Sequence, residues 1–412
     1  MKIIKKIPKK RRKLIRRFFK SPIKKRLAQY SKTHPRFRKC WKKILYTKRR
    51  IYYWWRGLGV TPDEKTVVFN SFNGKTYGCS PKAVYEYMLT QDEFKDWTFI
   101  WAFKNAKKHR FLEENPNTIV VKQTARVYEK KLIRAKYWIT NYRVPDHVWP
   151  QKDQVYVQCW HGTPLKRLGY DLETSENAID SIADIRKKYA MDAEKFNYIL
   201  SPSGFASEKF ISAWNLKETK MEDKVMEIGY PRNDFLINHT QEDIRMIKEK
   251  LEIPEDKKVI LYAPTWRDNQ HEAGTGFTYD LNVDFDALRQ ELGDEYVILF
   301  RVHYLVASKF SFDDYEGFIY NVSNYDDINH LYLIADLLIT DYSSVFFDYG
   351  ILKKPMLFYM YDLEDYKDSI RGFYFGIDKL PGKIITKEEE LPDAIRDSID
   401  NFVYDDKYRE FN

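Results

Sequence analysis

The chain has 412 residues, enough for two ordinary domains, and is 43% hydrophobic and 16% aromatic, so most of it is expected to fold. Its three cysteines, Cys40, Cys79 and Cys159, form no close pair and no metal-like spacing. That excludes a disulfide scaffold, fits a reducing compartment and predicts no structural metal. The net charge of +10 is unevenly spread: residues 1–62 carry 24 Lys/Arg and no Asp or Glu, leaving 46 basic against 60 acidic side chains, a net −14, in the rest.

The basic arm, residues 1–62, comes first. Ile3, Ile4, Ile7, Leu14, Ile15, Phe18, Phe19, Ile23 and Leu27 recur among its charges at roughly helical intervals. Further on, Ile51-Tyr52-Tyr53-Trp54-Trp55-Arg56 sets aromatic rings beside an arginine. Basic residues with interfacial Trp, Tyr and Phe mark a peripheral membrane segment. An anionic leaflet attracts each Lys or Arg close to it by about 1 kcal/mol. A solvated basic tail is the competing reading, and a nucleic-acid-binding arm is another. The acidic body and its cleft weigh against nucleic acid as the partner. Pro8, Pro22 and Pro35 are expected to break the arm into short helices. No apolar run approaches the ~20 residues of a membrane span, and no apolar h-region follows the basic start. The expected location is therefore the cytoplasmic face of the cell membrane, held peripherally.

From Thr66 onward, strand and helix alternate. Thr66–Asn70 reads as a strand, and Ser80-Pro81 as the opening of a helix, with serine as N-cap and proline at its first position. Thr98–Phe103, Thr118–Val121, Tyr137–Thr140, Val155–Gln158 and Tyr198–Leu200 read as further strands, and Lys224–Tyr230 closes the first half. A charged helix near Asp243–Leu251 leads into a second series: Val259–Ala263, Tyr296–Phe300, Phe318–Tyr320, Leu337–Thr340 and Pro355–Phe358. The rhythm predicts an α/β fold of two Rossmann-like domains facing across a cleft, residues 63–232 and 233–385. The stretch Glu389–Phe402, within residues 386–412, is a candidate to cross back to the first domain.

In open α/β sheets ligands bind where loops leave the carboxyl ends of strands, and the candidate groups sit there. His161, in Gln158-Cys159-Trp160-His161-Gly162-Thr163-Pro164-Leu165-Lys166, stands between a strand and a forced turn, suited to take a proton from an attacking hydroxyl; Lys166 adds charge nearby. Arg301 and His303 alternate off one strand end, so both can face a phosphoryl group. In Thr340-Asp341-Tyr342-Ser343-Ser344, Ser343 and Ser344 mark a helix start, which favours anions, and Asp348 lies one turn further on, placed to reach ribose hydroxyls. Thr265 and Arg267 belong to the strand-end loop Tyr262-Ala263-Pro264-Thr265-Trp266-Arg267, and Arg232 and Asn233 to Gly229-Tyr230-Pro231-Arg232-Asn233-Asp234 at the domain junction, a hinge or a ligand loop. For each, an ordinary structural role is the competing reading.

Together these elements, H-G-T-P-L-K, G-Y-P-R-N-D, Y-A-P-T-W-R, R-x-H and T-D-Y-S-S-x-x-x-D, in that order along the chain, resemble the CDP-glycerol glycerophosphotransferase family of teichoic acid synthesis over roughly residues 66–385. The resemblance implies a GT-B fold, no cofactor, and transfer of an alditol phosphate from CDP-glycerol or CDP-ribitol with release of CMP. It implies an acceptor linked to undecaprenyl diphosphate, which accounts for a membrane-seeking arm. His161 would be the base and His303, with Arg301, would contact the transferred phosphate. Ser343, Ser344 and Arg267 would hold the pyrophosphate, and Asp348 the ribose. A glycosyltransferase using a nucleotide sugar on the same fold is the alternative.

Overall fold

The computed structural model describes residues 30, 34–173, 181–265, 271–272, 276–277, 283–302, 312–364, 372–374 and 376–412. His303 and Arg267, together with Pro8, Pro22 and the apolar positions before Leu27 and Leu27 itself, lie outside these residues. The chain divides into two compact units: one runs to Val60 and includes Pro145–Trp149, and the other holds Thr61–Val144 and Pro150–Asn412.

In the smaller unit Tyr30 is helical and His34 extended, so the chain does break before Pro35, but the helix that Pro35 opens, Pro35–Gly57, runs 23 residues and is not short. The missing N–H of proline costs nothing in a first turn, where no partner exists for it. Ile44, Ile51, Tyr52, Trp54, Trp55 and Leu58 are exposed along this segment, and the Arg50 guanidinium lies 4.2 Å from the centre of the Trp149 ring. Among the described residues no helix is long and apolar enough to cross a membrane.

The larger unit contains two parallel sheets. The first is built from β1 (Asp63–Asn70), β2 (Thr98–Phe103), β3 (Thr118–Lys122), β4 (Ala135–Thr140), β5 (Val155–Gln158), β6 (Tyr198–Ser201) and β7 (Val225–Glu227). Its order is β3-β2-β1-β4-β5-β6-β7. After β8 (Lys258–Tyr262) come two short antiparallel strands, β9 (His271–Glu272) and β10 (Gly276–Phe277). The second sheet continues with β11 (Tyr296–Phe300), β12 (Ile319–Asn321), β13 (Leu337–Thr340), β14 (Met356–Tyr359) and β15 (Lys383–Ile385), in the order β12-β11-β8-β13-β14-β15. Both orders start from the first strand, run outward one way and then reverse, the doubly wound pattern.

Helices cover both faces, so the central strands are buried on both sides and read as unbroken apolar runs. In the second sheet alternation divides them cleanly. Val259, Leu261, Val297, Leu299 and Leu338 enter one core with Leu331 and Phe346; Ile260, Ile298, Phe300 and Ile339 enter the other with Phe285 and Leu292. The helix Leu391–Asp400, a candidate to cross back, stays on the second sheet. Leu391, Ala394 and Ile395 belong to that second core, and the apolar stripe they form is satisfied there.

The helix after β1 also departs from expectation. It spans Cys79–Thr90 with Gly78 at the N-cap, and Ser80 is buried inside it with its hydroxyl unpartnered. Cys79 takes a left-handed φ of 62°, and the helix opens two residues earlier than a cap at Ser80 would place it.

Candidate active site

The switch points, where strand order reverses, lie between β1 and β4 in the first sheet and between β8 and β13 in the second. His161 is carried beside the first of these. Its Nδ1 donates to the carbonyl of Asn141, just past β4, at 3.1 Å. A carbonyl only accepts, so Nδ1 carries the hydrogen and Nε2 keeps its lone pair. The Asn141 side chain accepts from the Phe72 N–H at 2.7 Å and so ties the loop after β1 to the same point.

Trp160 sets the direction of His161. It has φ +50°, a conformation costing a bulky residue about 1–3 kcal/mol. Its N–H donates to Gln158 Oε1 at 3.0 Å, its ring centre lies 4.4 Å from that of His161, and Trp214 packs edge-on against it at 4.8 Å. The surrounding structure therefore repays the strain.

His161 is an exposed residue by its surface area. Even so, enclosure by the cleft walls, with Arg232 and Arg143 adding like charge, pushes its pKa down from 6.5 to about 4, against the Asn141 bond that favours protonation. That exposure tempers the depression; its direction leaves the imidazole neutral at pH 7, as a base must be.

The second half meets this loop directly. A Cβ placed on Gly162 would lie 2.8 Å from Ser344 Oγ. Ser344 is the N-cap residue of the helix Val345–Gly350, and its side chain makes no capping bond. Ser343 precedes it, and both are partly exposed. Asp341 braces the turn: its Oδ1 accepts from the N–H of Thr265 at 2.8 Å and of Tyr342 at 2.6 Å. The Thr265 backbone is thus tied to the turn that leads into the two serines. Beyond His161, Lys166 forms an antiparallel bridge with Phe373, and Arg167 N–H donates to the Gly372 carbonyl at 3.0 Å.

Four other expected ligands, Asp348, Arg232, Asn233 and Arg301, are held by protein groups. Asp348 is buried; its Oδ2 accepts from Arg232 Nε and Nη2 at 3.1 and 2.7 Å, and its Oδ1 from Asn233 Nδ2 at 2.9 Å. Burial works against the Arg232 charge, but Asp348 outweighs it and the guanidinium stays ionised. That cluster borders a cavity of about 430 Å3, also lined by Lys82, Asp327 and His330. Arg301 Nη1 donates to the carbonyls of Val322 and Tyr325, both at 2.9 Å. Among the described residues no carboxylate pairs with it, so burial lowers its pKa without a full counter-charge. Among the described residues, too, no group of three or more His, Cys, Asp or Glu side chains is placed to hold a metal ion.

Sequence reasoning passed over Asn141, Asp341 and Trp160. Asn141 offered only its place directly after the strand Tyr137–Thr140; that this strand lies next to β1, at the switch point, is a property of the folded sheet. Asp341 lies two residues before Ser343, in the same strand-end turn. Trp160 had no signal, because a left-handed φ in a tryptophan is not encoded locally.

Two Rossmann-like sheets, with a histidine at a strand end of one and a hydroxyl-bearing helix start on the other, define a GT-B-type scaffold. Residues 56–412 match the family described as CDP-Glycerol:Poly(glycerophosphate) glycerophosphotransferase, and the chain belongs to that family. It is 43% identical over 334 residues to a teichoic acid poly(glycerol phosphate) polymerase of Bacillus subtilis, covering 81% of this chain and 44% of that protein. It is 40% identical over 350 residues to a teichoic acid glycerol-phosphate transferase of Staphylococcus aureus, covering 84% and 87%. The chain thus spans less than half of the first relative's length. Among solved structures it resembles the wall teichoic acid polymerase TagF, in a variant soaked with CDPG, at a TM-score of 0.79 and 38% identity over 91% of each chain.

Proposed function

We propose that this protein transfers glycerol phosphate from CDP-glycerol to a hydroxyl of a teichoic-acid-type acceptor and releases CMP, with CDP-ribitol as the second donor candidate. The observation that carries the proposal is the meeting of His161-Gly162 with Ser344, a neutral base against a hydroxyl-lined helix start.

In the reaction the acceptor hydroxyl gives its proton to His161 Nε2 while its oxygen attacks the phosphorus that bears glycerol. The bond from that phosphorus to the oxygen bridging to CMP breaks, and CMP leaves with the electron pair. Ser343 and Ser344, with the unpaired N–H groups of the helix start, would hold the pyrophosphate. Thr265 would flank them, and Lys166 lies along the strand-end loop on the acceptor side. Arg301 would place one positive charge near the departing group, and His303 and Arg267 retain their expected roles at the phosphates. Arg232, Asn233 and Asp348 would act at the donor through the packing of the junction loop.

The acceptor would be linked to undecaprenyl diphosphate at the cytoplasmic face of the membrane, with the helix Pro35–Gly57 lying on an anionic surface. Its exposed Trp54, Trp55 and Ile51 among lysines and arginines favour that reading.

CMP release from CDP-glycerol and CDP-ribitol, each with a lipid-linked acceptor analogue, tests the function. Turnover with one donor assigns the alditol. Turnover only with UDP-sugars would sink the proposal in favour of a glycosyltransferase.

A further inference from the structure

Two cations act on the His161 imidazole, Arg232 and Arg143. Arg232 is spent on Asp348. Arg143 is different: among the described residues no carboxylate lies within ion-pair distance of it, and its Nη1 is shielded from water with no hydrogen-bond acceptor. The rest of the side chain is only partly buried. A guanidinium carries five donors and cannot shed its charge, so one held this way is incomplete without an oxyanion.

The position of Arg143 is built. Its guanidinium lies 5.1 Å from the centre of the Tyr189 ring. Tyr189 leans on Trp214 at 4.7 Å, Trp214 on Trp160 at 4.8 Å, and Trp160 on His161 at 4.4 Å. Beneath Tyr189, Gly169 has φ +51° and no room for a side chain, since a Cβ there would sit 2.5 Å from the ring. Arg143 is also two residues beyond Asn141, whose carbonyl fixes the base. One aromatic wall therefore positions both the base and the unpaired cation.

We infer that Arg143 is an acceptor subsite for the phosphodiester that precedes the attacking hydroxyl, so that the enzyme recognises an acceptor already ending in a glycerol phosphate unit. The inference rests on the functional reading above. In such an acceptor three carbons separate the terminal hydroxyl from the phosphodiester, a reach of roughly 5–6 Å at ordinary bond lengths. The anion must then be met close to the base and on the first half, where the other cation acting on His161 is already paired. Binding also helps the chemistry: the phosphodiester screens Arg143, which otherwise makes His161 a poorer proton acceptor. The acceptor thereby strengthens the base that activates it.

The test uses the full chain, CDP-glycerol, and two soluble acceptors: an alkyl glycerol phosphodiester and an uncharged alkyl glycerol ether. Arg143→Gln should raise KM for the charged acceptor by roughly tenfold or more. KM for the ether and for CDP-glycerol should stay within about twofold. Arg143→Lys should fall between, because it keeps the charge and loses the fork. Equal losses on both acceptors, or none on either, would overturn the subsite. If wild type released no CMP, the functional reading would fall; calorimetric binding of the charged acceptor, weakened or unchanged by Arg143→Gln, would still decide this inference.

Discussion

Gly162 and Ser344 touch across the cleft so closely that a methyl group on the first would lie 2.8 Å from the hydroxyl oxygen of the second. The two residues belong to different sheets, one following the base and the other opening the anion-binding turn. No side chain but hydrogen lets both hold their places.

Gly162→Ala should therefore cut kcat/KM by roughly tenfold or more with little change in thermal stability, because the displaced group is a partly exposed hydroxyl. In a Ser344→Ala background the same substitution should cost much less, since the oxygen it strikes is gone. A double-mutant cycle measures this directly. Strict additivity of the two losses would show that the contact does not couple the sites.

His161→Ala should lower kcat by about 10²–10⁴, the range for removal of a general base, and leave CDP-glycerol affinity intact by calorimetry. Wild-type turnover in the variant would remove His161 from the mechanism. The pH profile provides a second check. With its pKa depressed toward about 4, His161 is neutral and active above that value and lost as a base as pH falls through it. The acid limb of kcat/KM should lie well below 6.5, and a limb at 6.5 would mean the cleft does not perturb the ring.

Breaking the Arg232–Asp348 pair, whose side chains are 5% and 9% exposed, leaves one buried charge uncompensated. Asp348→Asn should destabilise the protein by about 3–5 kcal/mol in denaturant unfolding. Replacing both partners by apolar residues of similar volume should recover much of that loss. A negligible cost for Asp348→Asn would show that Arg232 finds another acceptor.

Trp54→Ser combined with Trp55→Ser should weaken binding to vesicles containing anionic lipid, because both indoles are exposed beside Arg56. Turnover of a soluble acceptor analogue should be unchanged. Undiminished vesicle co-sedimentation would separate the helix Pro35–Gly57 from any membrane role.

The strands of both sheets could be read from sequence because parallel strands buried on two faces must be continuous apolar runs. β15 escaped, since an edge strand of three residues, Lys383–Ile385, carries too little pattern. His161, Ser343 and Ser344 were likewise legible, as their strand-end position follows from local alternation. The partners of Asp348 were not: Arg232 lies 116 residues away, and its charge determines whether that carboxylate faces a ligand or an arginine. Nor could the sequence say where the helix Leu391–Asp400 would bury its apolar stripe, because either half could have offered a surface. Local pattern and chain order therefore determined the two wound sheets and which residues stand at their ends. Contacts between distant segments decided that Gly162 meets Ser344, that Asp348 is spent on Arg232, and that Arg143 has no acidic counterpart among the described residues. Such contacts depend on how complete elements pack, a property that no single stretch of the chain possesses.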